Sequence, residues 1–322
     1  MMGQTDVGSK LQSSRSWLGH IQGASALLEL RGEAQMQTAL GRQLFEQLRS
    51  QILLRCSLMR CPTPATIVLL SGVCKEYRTS PADGLASISN ELGQLRSERP
   101  FRPKLLDSEF LDRDVIRRCS TLGFKLEAWR SQTSAAPPQA VVGVEVLQKH
   151  ATDNHHNDIW TAGLHNRHRG MVIIVEELAI TRLLNLQRKR LATTAEVLQL
   201  HDLRHNIVQQ VNKICASVPR LLESGSIEVA RNLLWPLYMA AQLDPETVRC
   251  DGATRDWVLG RLRFIGYETG IRQALLLVEV LSKRQEVSDL LGGSHSGGGA
   301  ECMDEEPPVA EPCSVWLRSI TN

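Results

Sequence analysis

The sequence predicts an all-α fold, an irregular bundle of about ten helices with a disordered C-terminal tail. Apolar residues recur at spacings of three and four in several long segments, as they do on the buried face of a helix. Aromatic residues make up only 4% of the chain, so Leu, Ile, Val and Ala must fill the core, which favours helices over β-sandwiches. Strand-like content is confined to VVGVEVL at 141–147, which we expect to be a linker or the start of a helix.

The first two predicted helices form a hairpin. The first begins at the N-cap Ser16 and ends at the C-cap Gly32, with one apolar face made by Trp17, Ile21, Ala24 and Leu28. The second follows Thr38 and is ended by Pro62 and Pro64, with a face made by Phe45, Leu48, Ile52, Cys56 and Met59.

The remaining helices are predicted from the same periodicity. Shorter ones cover 65–77, 84–97 and 108–130, the last with an apolar set of Phe110, Val115, Leu122, Leu126 and Trp129, and a loop follows at 131–140. Longer ones cover 158–190, 194–218, 227–243, 254–266 and 271–290, and Pro219 is expected to end the helix that starts at 194.

The predicted organisation is a polar lead-in at 1–15, one domain at 16–290, and a linker with an acidic tail at 291–322. Residues 292–299, GGSHSGGG, have the composition of a flexible linker. The tail then has five acidic residues and no basic residue between 301 and 312, followed by VWLRSI. This composition is typical of an activation segment, and a disordered tail with a chance hydrophobic cluster is the alternative.

Charge and targeting signals exclude several classes of protein. The chain has 37 basic and 35 acidic residues, so no overall field favours nucleic acid or a membrane surface. The polar N-terminus has no apolar core of a signal peptide, and no apolar run is long enough to span a bilayer. The eight cysteines contain no C-x-x-C pair, so we expect reduced thiols in the core of a cytosolic or nuclear protein.

A group of histidines raises the question of a metal site. His155, His156, His165 and His168 lie close together in sequence, and HDLRH follows at 201–205. HD-class phosphohydrolases hold metal with such residues, and His168, His201, Asp202 and either Asp244 or Asp251 are the candidates. HDLRH lacks the Glu of a zinc-protease motif, and the common alternative is a solvated helix face. We therefore predict no metal, cofactor or catalytic residue, and no enzyme.

Two further features have structural and functional alternatives. The basic residues of QRKR at 187–190, with Arg167, His168, Arg169 and Arg182 nearby, could serve nuclear import or phosphate contact, but the solvated end of a long helix is expected more often. Pro236 within WPLY should kink its helix, and Trp235 and Tyr238 then form either core or the wall of a ligand pocket.

Four segments, in this order, resemble the regulatory domain of fungal binuclear zinc-cluster transcription factors. H-x-x-G-A-x-x-L-x-x-L-R-G at 20–32 is similar to the entry helix of that domain, and L-G-R-x-L-F-x-Q-L-R-S-Q-I at 40–52 to the segment after it. DIWTAGLHNRHRGMVIIVEEL at 158–178 resembles a central helix, with LHNRHR where the family ordinarily has a Trp-Asn-x-Tyr-Arg patch. NLLWPLYMAAQL at 232–243 and RDWVLGRLRFIGYETGIRQA at 255–274 resemble the C-terminal signature.

The resemblance implies an all-helical regulator in the nucleus that governs metabolic genes, plausibly a secondary-metabolite cluster. Family members also have a six-cysteine zinc cluster near the N-terminus, and these 322 residues contain none. Specific DNA binding by this chain alone is therefore expected to be absent or weak. The implied partners are the transcription machinery or a DNA-binding subunit, with a homodimer also open, and an adaptor or scaffold is the alternative function.

Overall fold

The computed structural model describes residues 19–59, 61–77, 81–97, 107–135, 153–243, 248 and 252–292. Within these ranges the chain forms ten α-helices, one short 3-10 helix at Glu33–Gln37 and no strand, which confirms the predicted all-α irregular bundle. The helices are α1 (19–31), α2 (Ala39–Met59), α3 (Ala65–Tyr77), α4 (Pro81–Ser97), α5 (Asp107–Ala135), α6 (Asp153–Arg188), α7 (Thr194–Leu222), α8 (Ile227–Ala241), α9 (Gly252–Glu268) and α10 (Arg272–Gly292). The predictions for Ser16, for 141–147 and for the tail from 293 onward lie outside the described residues.

The turn between α1 and α2 is fixed by residues that the sequence indicated. Gly32 has a φ of 56°, and its N–H donates to the carbonyl of Leu28 at 3.1 Å, which confirms the predicted C-cap. Thr38 precedes α2, and its hydroxyl accepts a hydrogen bond from the N–H of Gly41 at 3.0 Å. Both helices therefore end and begin where local chemistry satisfies their free backbone groups.

The prediction that Pro219 ends the helix that starts at 194 is wrong. Helix α7 continues to Leu222 because proline removes only the hydrogen bond of its own missing N–H. The carbonyl of Pro219 still accepts from the N–H of Glu223 at 3.1 Å. The chain turns instead at Gly225, which has a φ of 64°, and Ser226 caps α8 through the N–H of Val229.

The apolar set predicted for α5 is partly wrong. Phe110 is 75% exposed, because it lies on the opposite side of the helix from the buried residues. Those buried residues follow spacings of three and four: Ile116, Cys119, Leu122, Leu126 and Trp129.

Helix α6 lies at the centre of the bundle. It packs against α4, α5, α7 and α8. Three consecutive residues, Ile173, Ile174 and Val175, are all buried, so apolar side chains face most directions around the helix axis.

Although α6 has 36 residues, neither it nor any other described helix combines the length and apolar character that a bilayer span needs.

The buried apolar residues form two groups. The large core extends over α4 to α10. A smaller core joins α1, the 3-10 helix, α2 and α3, and consists of Ile21, Leu28, Met36, Phe45, Ile52, Cys56, Ile67, Leu70 and Cys74. Because α2 and α3 also pack against α4, the N-terminal helices are attached to the main bundle along one side.

We predict that Gly41→Ala destabilises the protein. A Cβ on Gly41 would lie 1.9 Å from the carbonyl oxygen of Gln35, a backbone atom that has little freedom to move. The expected loss is about 1–3 kcal/mol in the free energy of unfolding, measured by urea denaturation. Gly72→Ala is the control, since nothing lies within 4 Å of its Cβ position, and it should raise stability by about 0.5–1 kcal/mol. Equal effects of the two substitutions would contradict the packing of the 3-10 helix on α2.

Candidate functional site: a buried polar junction beside a thiol-lined cavity

Four successive polar residues of α6 project into the bundle or its interfaces: Asn166, Arg167, His168 and Arg169. Each is about 100° around the helix from the next, so they face different neighbours. Asn166 is fully buried and donates to the hydroxyl of Ser217 on α7 at 2.8 Å. It also accepts from Arg169 at 2.6 Å. Polar residues at this depth must be paired, and here the pairing fixes which face of α6 meets α7.

Arg167 is the centre of the junction. Its guanidinium donates to the side-chain oxygen of Asn232 on α8 at 2.8 Å and to the hydroxyl of Ser50 on α2 at 3.4 Å. Burial lowers the pKa of Arg167, and the nearby positive charge of Arg49 lowers it further, whereas Glu228 raises it. An arginine remains charged under these conditions, so this cation holds three helices together in the interior.

A buried ion pair lies next to this junction. Arg49 on α2 donates to the carboxylate of Asp83 on α4 at 2.7 Å, and both side chains are only 4% exposed. The guanidinium of Arg49 also lies over the ring of Phe45, 5.3 Å from its centroid. The pair attaches the N-terminal helices to the main bundle.

A small cavity adjoins the junction. Its volume is about 20 Å³, which has room for one water molecule but not for an organic effector. It is lined by residues from α2, α4, α6 and α8 and from the segment after α2: Leu53, Cys56, Cys61, Thr63, Ser89, Leu92, Gly93, Arg96, Met171, Ile174 and Trp235. Trp235 therefore forms part of a cavity wall, whereas Tyr238 is buried in the core.

Trp235 packs closely on α6. A Cβ on Gly170 would lie 2.6 Å from the indole ring, so only glycine allows this approach. The buried Nε1 of Trp235 has no hydrogen-bond acceptor among the described residues.

Two histidines of α6, His165 and His168, belong to an aromatic cluster around Trp129. His168 is stacked on Trp129 of α5, with ring centroids 5.2 Å apart, and its Nε2 bonds to the carbonyl of Leu126 at 3.1 Å. His165 meets the same Trp129 edge-on. Burial lowers the pKa of His168 to about 4, so the ring is neutral at pH 7. Because a carbonyl only accepts, Nε2 carries the proton and donates to Leu126.

The other candidates for the metal site lie elsewhere. His201 and Asp202 are on an exposed face of α7, with side chains 84% and 86% exposed, and Nδ1 of His201 lies 3.8 Å from Oδ1 of Asp202. His205 on the same helix bonds to Gln209 at 2.8 Å. Asp244, Asp251 and the side chains of His155 and His156 lie outside the described residues. Within the described ranges, no group of three or more His, Cys, Asp or Glu residues could hold a metal ion.

The basic residues at 187–190 form the solvated end of α6, as the more common alternative predicted. All four residues are exposed, and α6 ends at Arg188. Lys189 lies 3.7 Å from the buried carboxylate of Asp112 on α5, and Arg182 donates to that carboxylate at 3.3 Å. Two of the cations near this end therefore contribute to the contact between α5 and α6.

Glu176 is the acidic group of α6 that burial affects most. One carboxylate oxygen accepts from Asn206 on α7 at 2.5 Å, and the other has no partner among the described residues. Burial raises the pKa of Glu176 from 4.5 to about 7, although the bond from Asn206 acts in the opposite direction.

Sequence reasoning missed Arg49, Asp83, Glu176 and Asn232. Only Arg49 had a signal, because it falls at helical spacing between the apolar residues Phe45 and Ile52. The others are ordinary polar residues in helices, and their partners are distant in sequence. Pairing across 34 residues, as for Arg49 and Asp83, has no local pattern.

Comparisons with known proteins do not identify a family. No protein-family model, curated protein or solved structure matches this chain.

We predict that Asp83→Ala strongly destabilises the protein, because it leaves the cation of Arg49 buried without its partner. Losses of about 3–5 kcal/mol are typical of such changes, measured as the free energy of unfolding in urea. Glu91→Ala is the matched control on the same helix: it breaks the ion pair to Lys125, whose side chains are 45% and 43% exposed, and should cost at most about 1 kcal/mol. Similar losses for both variants would show that the Arg49–Asp83 pair is not buried as described.

We predict that Glu176 makes stability fall as pH rises. Below about 4.5 its carboxyl is protonated in the folded and unfolded states. Between 4.5 and about 7 the unfolded state releases the proton while the folded state retains it, so stability declines, on the order of 3 kcal/mol at most. Above about 7 both states are ionised and the full loss persists.

Glu176→Gln should remove this pH dependence while keeping an acceptor for Asn206. The advantage of the variant over the natural protein, measured by urea denaturation at pH 5, 6, 7 and 8, should grow across that range. Glu91→Gln is the control for the loss of one negative charge. A difference between Glu176→Gln and the natural protein that stays constant with pH would contradict a raised pKa.

Proposed function

We propose that this chain is a transcriptional regulator of the fungal zinc-cluster type, a regulatory domain that acts in the nucleus. In this proposal it is not an enzyme. It controls metabolic genes, such as those of a secondary-metabolite cluster, and reaches DNA through a partner.

The observation that carries the proposal is the bonding of Arg167. The segments 40–52, 158–178 and 232–243 each resemble part of one regulatory domain. Arg167 lies in the second, and it bonds to Ser50 in the first and Asn232 in the third. Segments that form one structural unit are expected to pack together in this way, although they are far apart in sequence.

Two close glycine contacts support the same grouping. Gly170 of the segment 158–178 allows Trp235 of the segment 232–243 to approach α6. Gly266 allows Leu275 to approach α9, since a Cβ there would lie 2.4 Å from the leucine side chain. Trp235 and Gly266 belong to the segments that carry the resemblance, and both lie at contacts between helices.

The charge of the chain supports the proposal that it reaches DNA through a partner. The net charge of +2 gives little electrostatic attraction to phosphate. Lys189 and Arg182 are directed to Asp112.

Exposed apolar side chains on α1, Leu27 at 45% and Leu30 at 85%, offer contacts to a protein partner, either a DNA-binding subunit or a second copy.

An adaptor or scaffold without a transcriptional role is the second candidate, and it is compatible with the same fold. A phosphohydrolase receives no support from the arrangement of its candidate residues, because His168 is directed toward α5 while His201 and Asp202 are exposed on α7.

We predict that the chain, fused to a foreign DNA-binding module, changes reporter expression several-fold. The chain without that module should leave the reporter unchanged, because DNA contact is supplied by a partner. If the acidic tail is the activating segment, a 1–292 fusion should lose the effect, and so should Trp316→Ala combined with Leu317→Ala. The readout is reporter activity at equal fusion-protein levels.

Glu91→Gln in the same fusion is the control for an unrelated surface change. Silence of the complete fusion in the nucleus would favour the scaffold and overturn a transcriptional role. Reporter activation by the chain without a foreign module would instead show that it binds DNA itself.

A further inference from the structure

Two cysteines lie together where α2 ends, at one side of the cavity. Cys56 is in the last turns of α2 and is 4% exposed, while Cys61 is partly exposed. The N–H of Cys61 donates to the carbonyl of Cys56 at 3.1 Å, which folds the chain back on the helix end. Both thiols line the cavity with Thr63 and Trp235, and each influences the ionisation of the other.

The surroundings divide the pair into two different thiols. The hydrogen bond from Cys56 is the main cause that lowers the pKa of Cys61 to about 6; burial opposes it, and the positive charge of Arg55 assists it. The same hydrogen bond and burial raise the pKa of Cys56. The pair therefore favours negative charge on Cys61 and retention of the proton on Cys56.

Arg55 precedes Cys56 in α2, and its positive charge favours negative charge on the two thiols. Its buried Nε has no hydrogen-bond acceptor among the described residues. A partly exposed nucleophile beside a cation and a second thiol has the features of a reactive rather than a structural cysteine. Cys56, Cys74 and Cys119 are buried and fit the expectation of core thiols, whereas Cys61 is partly exposed.

We propose that Cys56 and Cys61 are an oxidation site for peroxide, with Cys61 as the residue attacked and Cys56 as the residue that resolves it into a disulfide. The inference does not depend on the proposed function. It rests on two cysteines that line one cavity wall and are joined by a backbone hydrogen bond, on the partial exposure of Cys61, and on the neighbouring cation of Arg55.

The chemistry proceeds in two balanced steps. The sulfur of Cys61 attacks one oxygen of hydrogen peroxide, the O–O bond breaks, and a sulfenic acid and hydroxide form. The sulfur of Cys56 then attacks the sulfur of Cys61, and the S–O bond breaks as the S–S bond forms. The departing hydroxide takes the proton of Cys56 and leaves as water, and the first hydroxide is protonated by solvent. Two thiols and one peroxide thus give one disulfide and two waters.

The test uses the full-length protein, reduced, freed of reductant and treated with one equivalent of hydrogen peroxide at pH 7. After remaining thiols are blocked, tryptic cleavage without reduction separates the peptides 56–60 and 61–75, because cleavage follows Arg55, Arg60 and Lys75. Mass spectrometry should find these two peptides joined by a disulfide. Before oxidation, iodoacetamide should label Cys61 on the order of tenfold faster than Cys119, whose pKa burial raises to about 12.

Three serine variants identify the sulfurs involved. Cys74→Ser should leave the cross-link intact, which distinguishes Cys61 from the other thiol in the peptide 61–75. Cys61→Ser should abolish the cross-link. Cys56→Ser should stop the reaction at a sulfenic acid on Cys61, which dimedone traps. Circular dichroism checks that each variant is folded.

Two results would overturn the proposal, and both can be obtained with folded protein. One is the absence of the linked peptides from oxidised natural protein while its helical circular dichroism is unchanged. The other is a cross-link that persists in Cys61→Ser and disappears in Cys74→Ser, which would assign the reaction to Cys74.

Discussion

The constraint on which the structure depends is that α6 is covered by other helices on most sides. The buried polar residues of such a helix cannot reach water, so each pairs with a group of the helix that faces it. Asn166 pairs with α7, Arg167 with α2 and α8, and His168 with α5. Apolar packing brings the helices together, while these polar pairs determine which residues of each helix meet. Replacing one partner would leave the other buried and unsatisfied, which makes the arrangement specific.

The N-terminal helices illustrate the same principle at an edge of the bundle. Their own core is small, and α1 exposes Leu27 and Leu30. Two cations connect them to the rest of the protein: the buried Arg49 through Asp83, and the partly buried Arg167 through Ser50. A cation without a partner is strongly unfavourable in the interior of a protein. The stability of the protein therefore depends on the partners of both arginines. The cavity and the thiol pair lie beside this connection, and the cavity is lined by residues of both groups of helices.

The functional proposal and the oxidation proposal concern adjacent parts of one region. Cys56 belongs to α2, the helix that also contributes Ser50 to the junction, and Trp235 of α8 contacts both α6 and the cavity. A disulfide at the end of α2 would therefore form next to the contacts that join the segments of the resemblance. The thiols are packed against the residues of this region. A new bond between the thiols would therefore change the contacts of those neighbouring residues.

Local sequence was enough to predict the all-α class, most helix ends and much of the buried surface, because these depend on periodicity and on caps such as Gly32 and Thr38. It failed at Pro219, where the loss of one backbone bond was not enough to end α7. The pairing of Arg49 with Asp83 and the environment of Glu176 were settled only when the helices packed together. The physical reason is that burial and charge pairing arise between helices distant in sequence, where no local pattern records which residues will meet.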